Sequence, residues 1–179
     1  MKPSEVILVN ESDEAIGTME KMAAHYKGLL HRAFSVFIIN DAGEMLLQQR
    51  ALDKYHSAGL WTNACCSHPF PGEATLEAGH RRLQEEMGFD CDLHEIFSFT
   101  YRTEFDNGLT EHEFDHVLLG TYNGIIYPNA AEVNDYRYLS ANHILELMEK
   151  EPGTFTSWFH YALPIVLQHL DLRVNTTGV

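Results

Sequence analysis

Residues 73–89 read EATLEAGHRRLQEEMGF, and this stretch decides the fold of the chain. From Thr75 to Met87 it lacks proline and consists largely of residues that favour helices. It stops at Gly88, and glycine is the residue that most often follows the last turn of a helix. The stretch therefore predicts one central helix over residues 75–87, with the rest of the chain arranged around it.

Short runs rich in aromatic and β-branched residues precede and follow this helix, as expected for strands. The predicted strands are Val6–Asn10, His31–Asn40, Met45–Gln49, Trp61–Cys66, Ile96–Phe105, Glu113–Tyr122 and Tyr136–Leu139. Asp41-Ala42-Gly43 predicts a hairpin between the second and third of these strands, and Asp106-Asn107-Gly108 predicts a turn between the fifth and sixth.

Three further helical segments are predicted. They are a turn around Met22–His25, a helix from a Ser140 cap to Lys150, and a helix from a Thr156 cap to about Leu170, bent near Pro164. This order of elements predicts an α/β (α+β) sandwich, in which a mixed sheet lies between helices in a single domain.

The composition argues against several classes of protein. A length of 179 residues and a hydrophobic content of 45% suit one globular domain with a sizeable core. The longest apolar stretch, Ala33–Ile39, has seven residues and includes Ser35, whereas a membrane-spanning helix needs ~20, and no signal peptide is evident. The net charge of −14 argues against a nucleic-acid surface, which requires clustered Lys and Arg. An odd, sparse set of three cysteines without a secretion signal predicts reduced thiols and a cytoplasmic protein.

Reactive side chains are concentrated in three segments. The first holds His25 and His31, the second is Thr62-Asn63-Ala64-Cys65-Cys66-Ser67-His68-Pro69, and the third is Glu111-His112-Glu113. Residues two apart in a strand face the same side, so Cys66 and His68 can point together, as can Glu111 and Glu113. Three imidazoles and two carboxylates would make a mixed nitrogen and oxygen site suited to Zn²⁺ or Mn²⁺.

Each of these features also has an ordinary structural interpretation. The chain has eleven histidines, and a single histidine is usually a surface or hydrogen-bonded residue. A Glu-x-Glu pair in a strand often belongs to a solvated face. The charges of the central helix lie at i, i+4 steps, which fits either a solvated helix or a helix whose carboxylates hold Mg²⁺ against a diphosphate. Spacing alone leaves these alternatives open.

The region from Ser67 to Phe89 also resembles a known sequence motif, which the spacing of its charges alone does not reveal. Its residues Ser67, Glu73, Arg81, Arg82, Leu83, Glu85, Glu86, Gly88 and Phe89 resemble a Nudix box. Two positions depart from the usual pattern: Ser67 replaces a glycine, and Arg82 stands where hydrolytic members carry glutamate. These departures count against ordinary Nudix hydrolysis.

The departures resemble one branch of that superfamily, the type 1 isopentenyl-diphosphate isomerases. Trp61–Pro69 resembles the Trp-Thr-Asn-x-x-Cys-x-His-Pro signature of that branch. Further matching segments follow the same order, namely Glu20-Lys21-x3-His25, Arg50-Ala51-Leu52, Tyr101-Arg102, Glu111-x-Glu113 and Ser157-Trp158. The resemblance runs from about Val6 to Leu170. It implies a single domain over residues 1–179 with a Nudix core at about 31–171, and a monomeric enzyme of isoprenoid biosynthesis that moves the double bond of a five-carbon diphosphate.

The resemblance also implies roles for individual residues. Cys66 is the catalytic thiol and Cys65 a bystander, Glu113 is the facing acid/base with Tyr101 beside it, and Trp158 faces the carbocation. The implied ligands of Mn²⁺ or Zn²⁺ are His25, His31, His68, Glu111 and Glu113. Mg²⁺ is expected between Glu86 and the substrate diphosphate. The cations that grip the diphosphate are expected to be Lys21, Arg50, Lys54 and Arg82.

Two other functions remain alternatives. Glu73, Glu85 and Glu86 are compatible with a Nudix hydrolase of a nucleoside diphosphate derivative, but Arg82 and the Cys66-x-His68-Pro69 signature disfavour it. A non-catalytic metal-binding or interaction module on the same scaffold is disfavoured because every expected catalytic side chain is present.

Overall fold

The computed structural model describes the backbone of residues 5–176 and the side chains of residues 5–171. Its strands are β1 (Glu5–Val9), β2 (Ala15–Glu20), β3 (His31–Ile39), β4 (Met45–Arg50), β5 (Trp61–Thr62), β6 (Cys65–Ser67), β7 (Leu93–Glu104), β8 (Thr110–Thr121) and β9 (Val133–Leu139). Its helices are α1 (Lys21–Lys27), α2 (Thr75–Met87), α3 (Ala141–Lys150) and α4 (Ser157–Thr176). The predicted central helix is confirmed as α2, and Gly88 ends it in the left-handed conformation with φ of 72°.

Strand β3 organises the mixed sheet. It pairs in parallel with β8 from His31 opposite Glu113 to Ile39 opposite Thr121, and β8 pairs in antiparallel fashion with β7. Strand β6 lies antiparallel to β3, with Ser35 opposite Cys66. Strand β4 joins β9 and β5, while β1 and β2 form a hairpin at the other edge. This topology brings β3, β6 and β8 side by side, and these strands carry His31, Cys66, Glu111 and Glu113 of the predicted site.

The two faces of the sheet are covered by different helices. Even-numbered residues of β3, such as Phe34 and Val36, pack in a core with Leu83 and Met87 of α2. Phe37 of β3 instead packs in a second core with residues of α3 and α4. Because strand side chains alternate between faces, the sheet lies between α2 on one side and α3 and α4 on the other. The predicted sandwich of a mixed sheet between helices is confirmed.

Several predicted boundaries were wrong in detail. Strand β2 was not predicted, and α4 continues through Pro164 well beyond the predicted end. The predicted strand over residues 61–66 is interrupted between β5 and β6, because the side chain of Asn63 bonds to backbone carbonyls there. The predicted hairpin between β3 and β4 pairs only at its tip, where Ile39 lies opposite Met45, since β6 takes the place beside β3.

The described residues contain no helix that is both long and apolar enough to cross a membrane. Cys65, Cys66 and Cys91 are free thiols in the structure.

Candidate active site

Two adjoining cavities share part of their lining; α4 contributes Trp158 to the first, and α2 contributes Arg82 and Glu86 to the second. The first is lined by the reactive residues of the predicted site, namely Cys66, His68, Tyr101, Glu111, Glu113 and Trp158, and the second by the predicted diphosphate-binding cations. Lys21, Arg50 and Cys66 line both cavities. A single cleft therefore joins the reactive groups to the cationic groups.

Cys66 and Cys65 point in opposite directions, as the strand alternation predicts. Cys65 is fully buried in the core beside α2. Cys66 lies in the cleft, where Trp158 donates its Nε1–H to the sulfur over 3.0 Å. Burial, followed by the nearby carboxylate of Asp115, raises the pKa of Cys66 to about 12. Cys66 is therefore a protonated thiol at neutral pH.

The orientation of the thiol is set by a buried amide. The Nδ2 of Asn63 donates to the carbonyls of Val36 and Cys65 at 3.0 and 2.9 Å, which turns its Oδ1 toward the sulfur. That oxygen lies 3.1 Å from Cys66 Sγ and also accepts a hydrogen bond from Thr62 at 2.9 Å. Because an amide oxygen can only accept, the thiol donates its proton to Asn63.

Glu113 and Tyr101 form the opposite part of the cleft. Tyr101 donates its hydroxyl to Glu113 Oε2 over 2.6 Å, and both side chains are buried. Burial would raise the pKa of Glu113, but its contacts with His31 and His68 outweigh that effect and hold the pKa well below its usual range. Burial, followed by the charge of Glu111, raises the pKa of Tyr101 well above its ordinary value. A carboxylate and a neutral phenol therefore share a short hydrogen bond.

Three imidazoles converge on Glu113. The Nδ1 atoms of His25 and His31 donate to the carbonyls of Lys21 and Leu29 at 2.7 and 2.8 Å. In a neutral ring this leaves a lone pair on Nε2, the atom that can then bind a metal ion. Nε2 of His25 is buried without a hydrogen-bond partner, and Nε2 of His31 lies 3.5 Å from a carboxylate oxygen of Glu113.

These donors fit a divalent metal ion. Ligand atoms of His25, His31, His68 and Glu113 all lie within 4.8 Å of one another. Burial, followed by the charge of Lys21, lowers the pKa of His68 to about 3, so its ring is neutral and can bind a metal. The buried Nε2 of His25 without a hydrogen-bond partner is unfavourable by itself, and a cation bound there would satisfy it.

Glu111, the fifth predicted ligand, lies beside this group rather than within it. Its carboxylate belongs to a second set of donors with His25 and His56, again within 4.8 Å of one another. Oε1 of Glu111 lies 3.2 Å from Nε2 of His56, and Oε2 accepts from Tyr101 at 3.3 Å. Glu111 therefore sits next to the four-residue group, on the same face of β8 as Glu113.

All four predicted diphosphate-binding cations line the second cavity. Arg82 donates to Glu86 over 2.5 Å, and Gln48 donates to the other oxygen of Glu86 over 2.9 Å. Lys54 and Arg82 both pair with Glu132, a residue that was not predicted. The lining residues include four cations and two carboxylates, so the cavity is suited to a polyanion that arrives with a divalent ion.

The structure thus brings the predicted site residues together: all but His25 and His31 line the two cavities, and these two lie next to His68 and Glu113. It also adds residues that the motifs do not mark, chiefly His56, Asn63, Glu132 and the Ser35–Asp115 pair, in which Ser35 donates to Asp115 over 2.7 Å. His56 and Glu132 belong to no motif or periodic pattern in the sequence. Asn63 lies within the Trp61–Pro69 signature, but the sequence does not reveal its contacts.

Comparison with known proteins identifies the family and the fold of the chain. The sequence-family model of the NUDIX domain matches residues 29–159, so the chain belongs to the NUDIX domain family. Among solved structures, DR0079 from Deinococcus radiodurans superposes with a TM-score of 0.69, covers 83% of this chain and 90% of its own, and is 20% identical. The MutT protein of Methanosarcina mazei gives a TM-score of 0.65 at 19% identity, over 78% of this chain and 94% of its own. At this identity the two structures establish the shared fold.

Closer relatives define the branch. The isopentenyl-diphosphate Delta-isomerase of Burkholderia multivorans is 53% identical over 155 residues, which covers 87% of this chain and 88% of the relative. The enzyme of the same name from Pectobacterium atrosepticum is 53% identical over 159 residues, 89% of each chain. The chain therefore belongs to the isopentenyl-diphosphate Delta-isomerase family.

Proposed function

We propose that this chain interconverts isopentenyl diphosphate and dimethylallyl diphosphate, with Cys66 and Glu113 as the two proton-transfer groups. The observation that carries the proposal is the pairing of a protonated thiol with an ionised carboxylate in one buried cleft, next to a cationic pocket. Membership of the isomerase family supports the same reaction.

The reaction needs one proton to be added and another removed two bonds away. An unactivated alkene is a weak base, so the acid must be held close to it and water must be kept out. Cys66 and Glu113 carry one transferable proton between them at neutral pH. As negative charge develops on the sulfur, the Nε1–H of Trp158 can stabilise it through its hydrogen bond.

The tertiary carbocation between the two proton transfers needs a stabilising surface that does not react with it. The ring of Trp158 is 3% exposed and lines the cavity beside Cys66. The guanidinium of Arg50 already lies 5.4 Å from the centre of this ring. An aromatic face attracts cations by ~2 kcal/mol or more when water is excluded, so Trp158 is proposed to serve both the thiol and the carbocation.

The remaining proposed residues hold metal ions and the diphosphate. We assign His25, His31, His68, Glu111 and Glu113 to Mn²⁺ or Zn²⁺, which suit mixed imidazole and carboxylate ligands. An ion there would supply positive charge that favours the ionised form of Glu113. Mg²⁺ with Glu86 would balance the diphosphate charge, while Lys21, Arg50, Lys54 and Arg82 bind its oxygens. We also propose that residues 1–179 form one isomerase domain with its core at about 31–171, acting as a cytoplasmic monomer.

The proposal is tested by incubating the protein with isopentenyl diphosphate and Mg²⁺. Dimethylallyl diphosphate is expected as the product, without release of phosphate. A Nudix hydrolase would instead release phosphate from this substrate or act only on nucleoside diphosphate derivatives, which should be assayed in parallel. Neither product would form if the chain were a binding module, so the three functions give three distinct results.

A further inference from the structure

His56 lies in the segment between β4 and β5, outside every element of the sheet. Its side chain is nevertheless buried, with a relative exposure of 8% for the residue. The ring packs against Phe105 at 5.1 Å and edge-on against Trp158 at 6.2 Å between centroids. A buried imidazole needs polar partners, and those of His56 connect it to the metal centre.

We propose that His56 is a positioning residue of the metal centre, which holds the carboxylate of Glu111 in place for the ion. Nε2 of His56 lies 3.2 Å from Glu111 Oε1, and Nδ1 faces the hydroxyl of Ser57 at 3.3 Å. The hydroxyl can donate to Nδ1, which leaves the ring proton on Nε2, directed at the carboxylate. In this tautomer His56 donates a hydrogen bond to the carboxylate of Glu111.

Glu111 is then fixed by donors from two separate segments. His56 contacts one carboxylate oxygen, and Tyr101 contacts the other at 3.3 Å. Each oxygen still has a lone pair available for a metal ion. Carboxylates that bind metals are commonly oriented by such outer hydrogen bonds, and their loss typically weakens metal binding by ~10–100-fold.

The same contact ties a substrate-facing loop to the metal centre. Lys54 precedes His56 by two residues and pairs with Glu132 in the second cavity. Arg50, where the segment begins, donates to the carbonyl of His56 over 3.4 Å. The segment between β4 and β5 thus has one anchor at the metal centre and one in the diphosphate pocket. Loss of the first anchor should weaken the second, so that KM rises more than kcat falls.

Two substitutions distinguish a His56 that donates a hydrogen bond to Glu111 from a His56 that binds the metal ion directly. His56→Ala removes the donor. His56→Gln keeps an N–H near the position of Nε2 but is a poor ligand for Mn²⁺ or Zn²⁺. The affinity for each ion is measured by competition with a chelator of known affinity, on purified protein without substrate. His80→Ala is the matched control, because His80 pairs with Asp90 on the outer part of α2.

His56→Ala should bind the ion ~10–100-fold more weakly, while His56→Gln and His80→Ala stay within a few-fold of the parent. Equal losses in His56→Ala and His56→Gln would make His56 a direct ligand and overturn its role as a donor. Unchanged affinity in His56→Ala would overturn the inference altogether. The inference rests on the proposed metal centre and not on the isomerase reaction, so a parent protein that binds neither ion would refute both the centre and the inference.

Discussion

Replacing Tyr101 with phenylalanine should slow turnover while the fold persists. The substitution deletes one oxygen atom from a residue that is 5% exposed. The ring contacts of Tyr101 with Phe99 and Tyr161, both at 5.7 Å between centroids, do not involve the hydroxyl and should be kept. What is lost is the 2.6 Å hydrogen bond to Glu113 and the longer one to Glu111.

The size of the effect follows from the charge of the acceptor. Glu113 is ionised, and a hydrogen bond to a charged group contributes ~1.5–3 kcal/mol. With ~1.36 kcal/mol for each factor of ten, kcat should fall roughly 10–150-fold if the bond is needed in the transition state. Removing a donor also disfavours the ionised carboxylate. The acid limb of the pH profile of kcat should therefore move to higher pH.

The assay is the steady-state rate of dimethylallyl diphosphate formation over a range of pH, measured together with the melting temperature. Tyr138→Phe is the matched control, because it deletes the same atom from a tyrosine whose hydroxyl donates to the carbonyl of Tyr122, away from the cleft. A Tyr101→Phe protein with the parent kcat and an unmoved pH profile would refute the assigned role. Equal losses in both variants would point to a general loss of stability.

Three further predictions concern the thiol and the tryptophan. Cys66→Ala should lose ~10²–10⁴-fold or more in isomerase rate, whereas Cys65→Ala should keep its rate and lose only stability; the reverse pattern would overturn the assignment. Trp158→Leu should be slower than Trp158→Phe at similar melting temperature, because only phenylalanine keeps a π face, and a leucine variant at the parent rate would reject the role. Alkylation of Cys66 by iodoacetamide, followed by mass spectrometry, should still rise about tenfold per pH unit at pH 10, because the thiol with a pKa of about 12 is still mostly protonated there. In unfolded protein the rate should already level off, and levelling in the folded protein would contradict the raised pKa.

The parts of the site that could be predicted are those carried by regular strands. Alternation of side chains put Cys66 on the face opposite Cys65, and Glu111 on the same face as Glu113. The parallel pairing of β3 with β8 then places His31 directly opposite Glu113. That pairing joins residues far apart in sequence, so spacing could not predict it, and convergence of the segments came only from the family resemblance.

The parts that could not be predicted depend on irregular backbone. His56 reaches Glu111 from a loop whose path is set by contacts rather than by any repeat. Asn63 interrupts a strand that the sequence predicts as continuous, because its amide satisfies two backbone carbonyls that a regular ladder would have satisfied. In the sequence, Glu132 has no feature that distinguishes it from an ordinary solvated acid. Only the structure shows that it pairs with two cations of the diphosphate pocket.

The inward face of β8 shows why the cleft needs the groups around it. Glu111, Glu113 and Asp115 alternate along one strand and are exposed by only 3%, 7% and 1%. Burial raises the pKa of Glu111 and Asp115 well above the ordinary range, and the charge of Glu113 adds to the effect in both. A sheet selected for stability alone would place apolar residues at these positions, as β8 does at Val117 and Leu119. The chain instead surrounds the three acids with imidazoles, the Tyr101 hydroxyl and the Ser35 hydroxyl. Proton transfer to a weakly basic alkene requires water to be excluded, so the acids must be buried, and the surrounding donors and a metal ion are what make their burial tolerable.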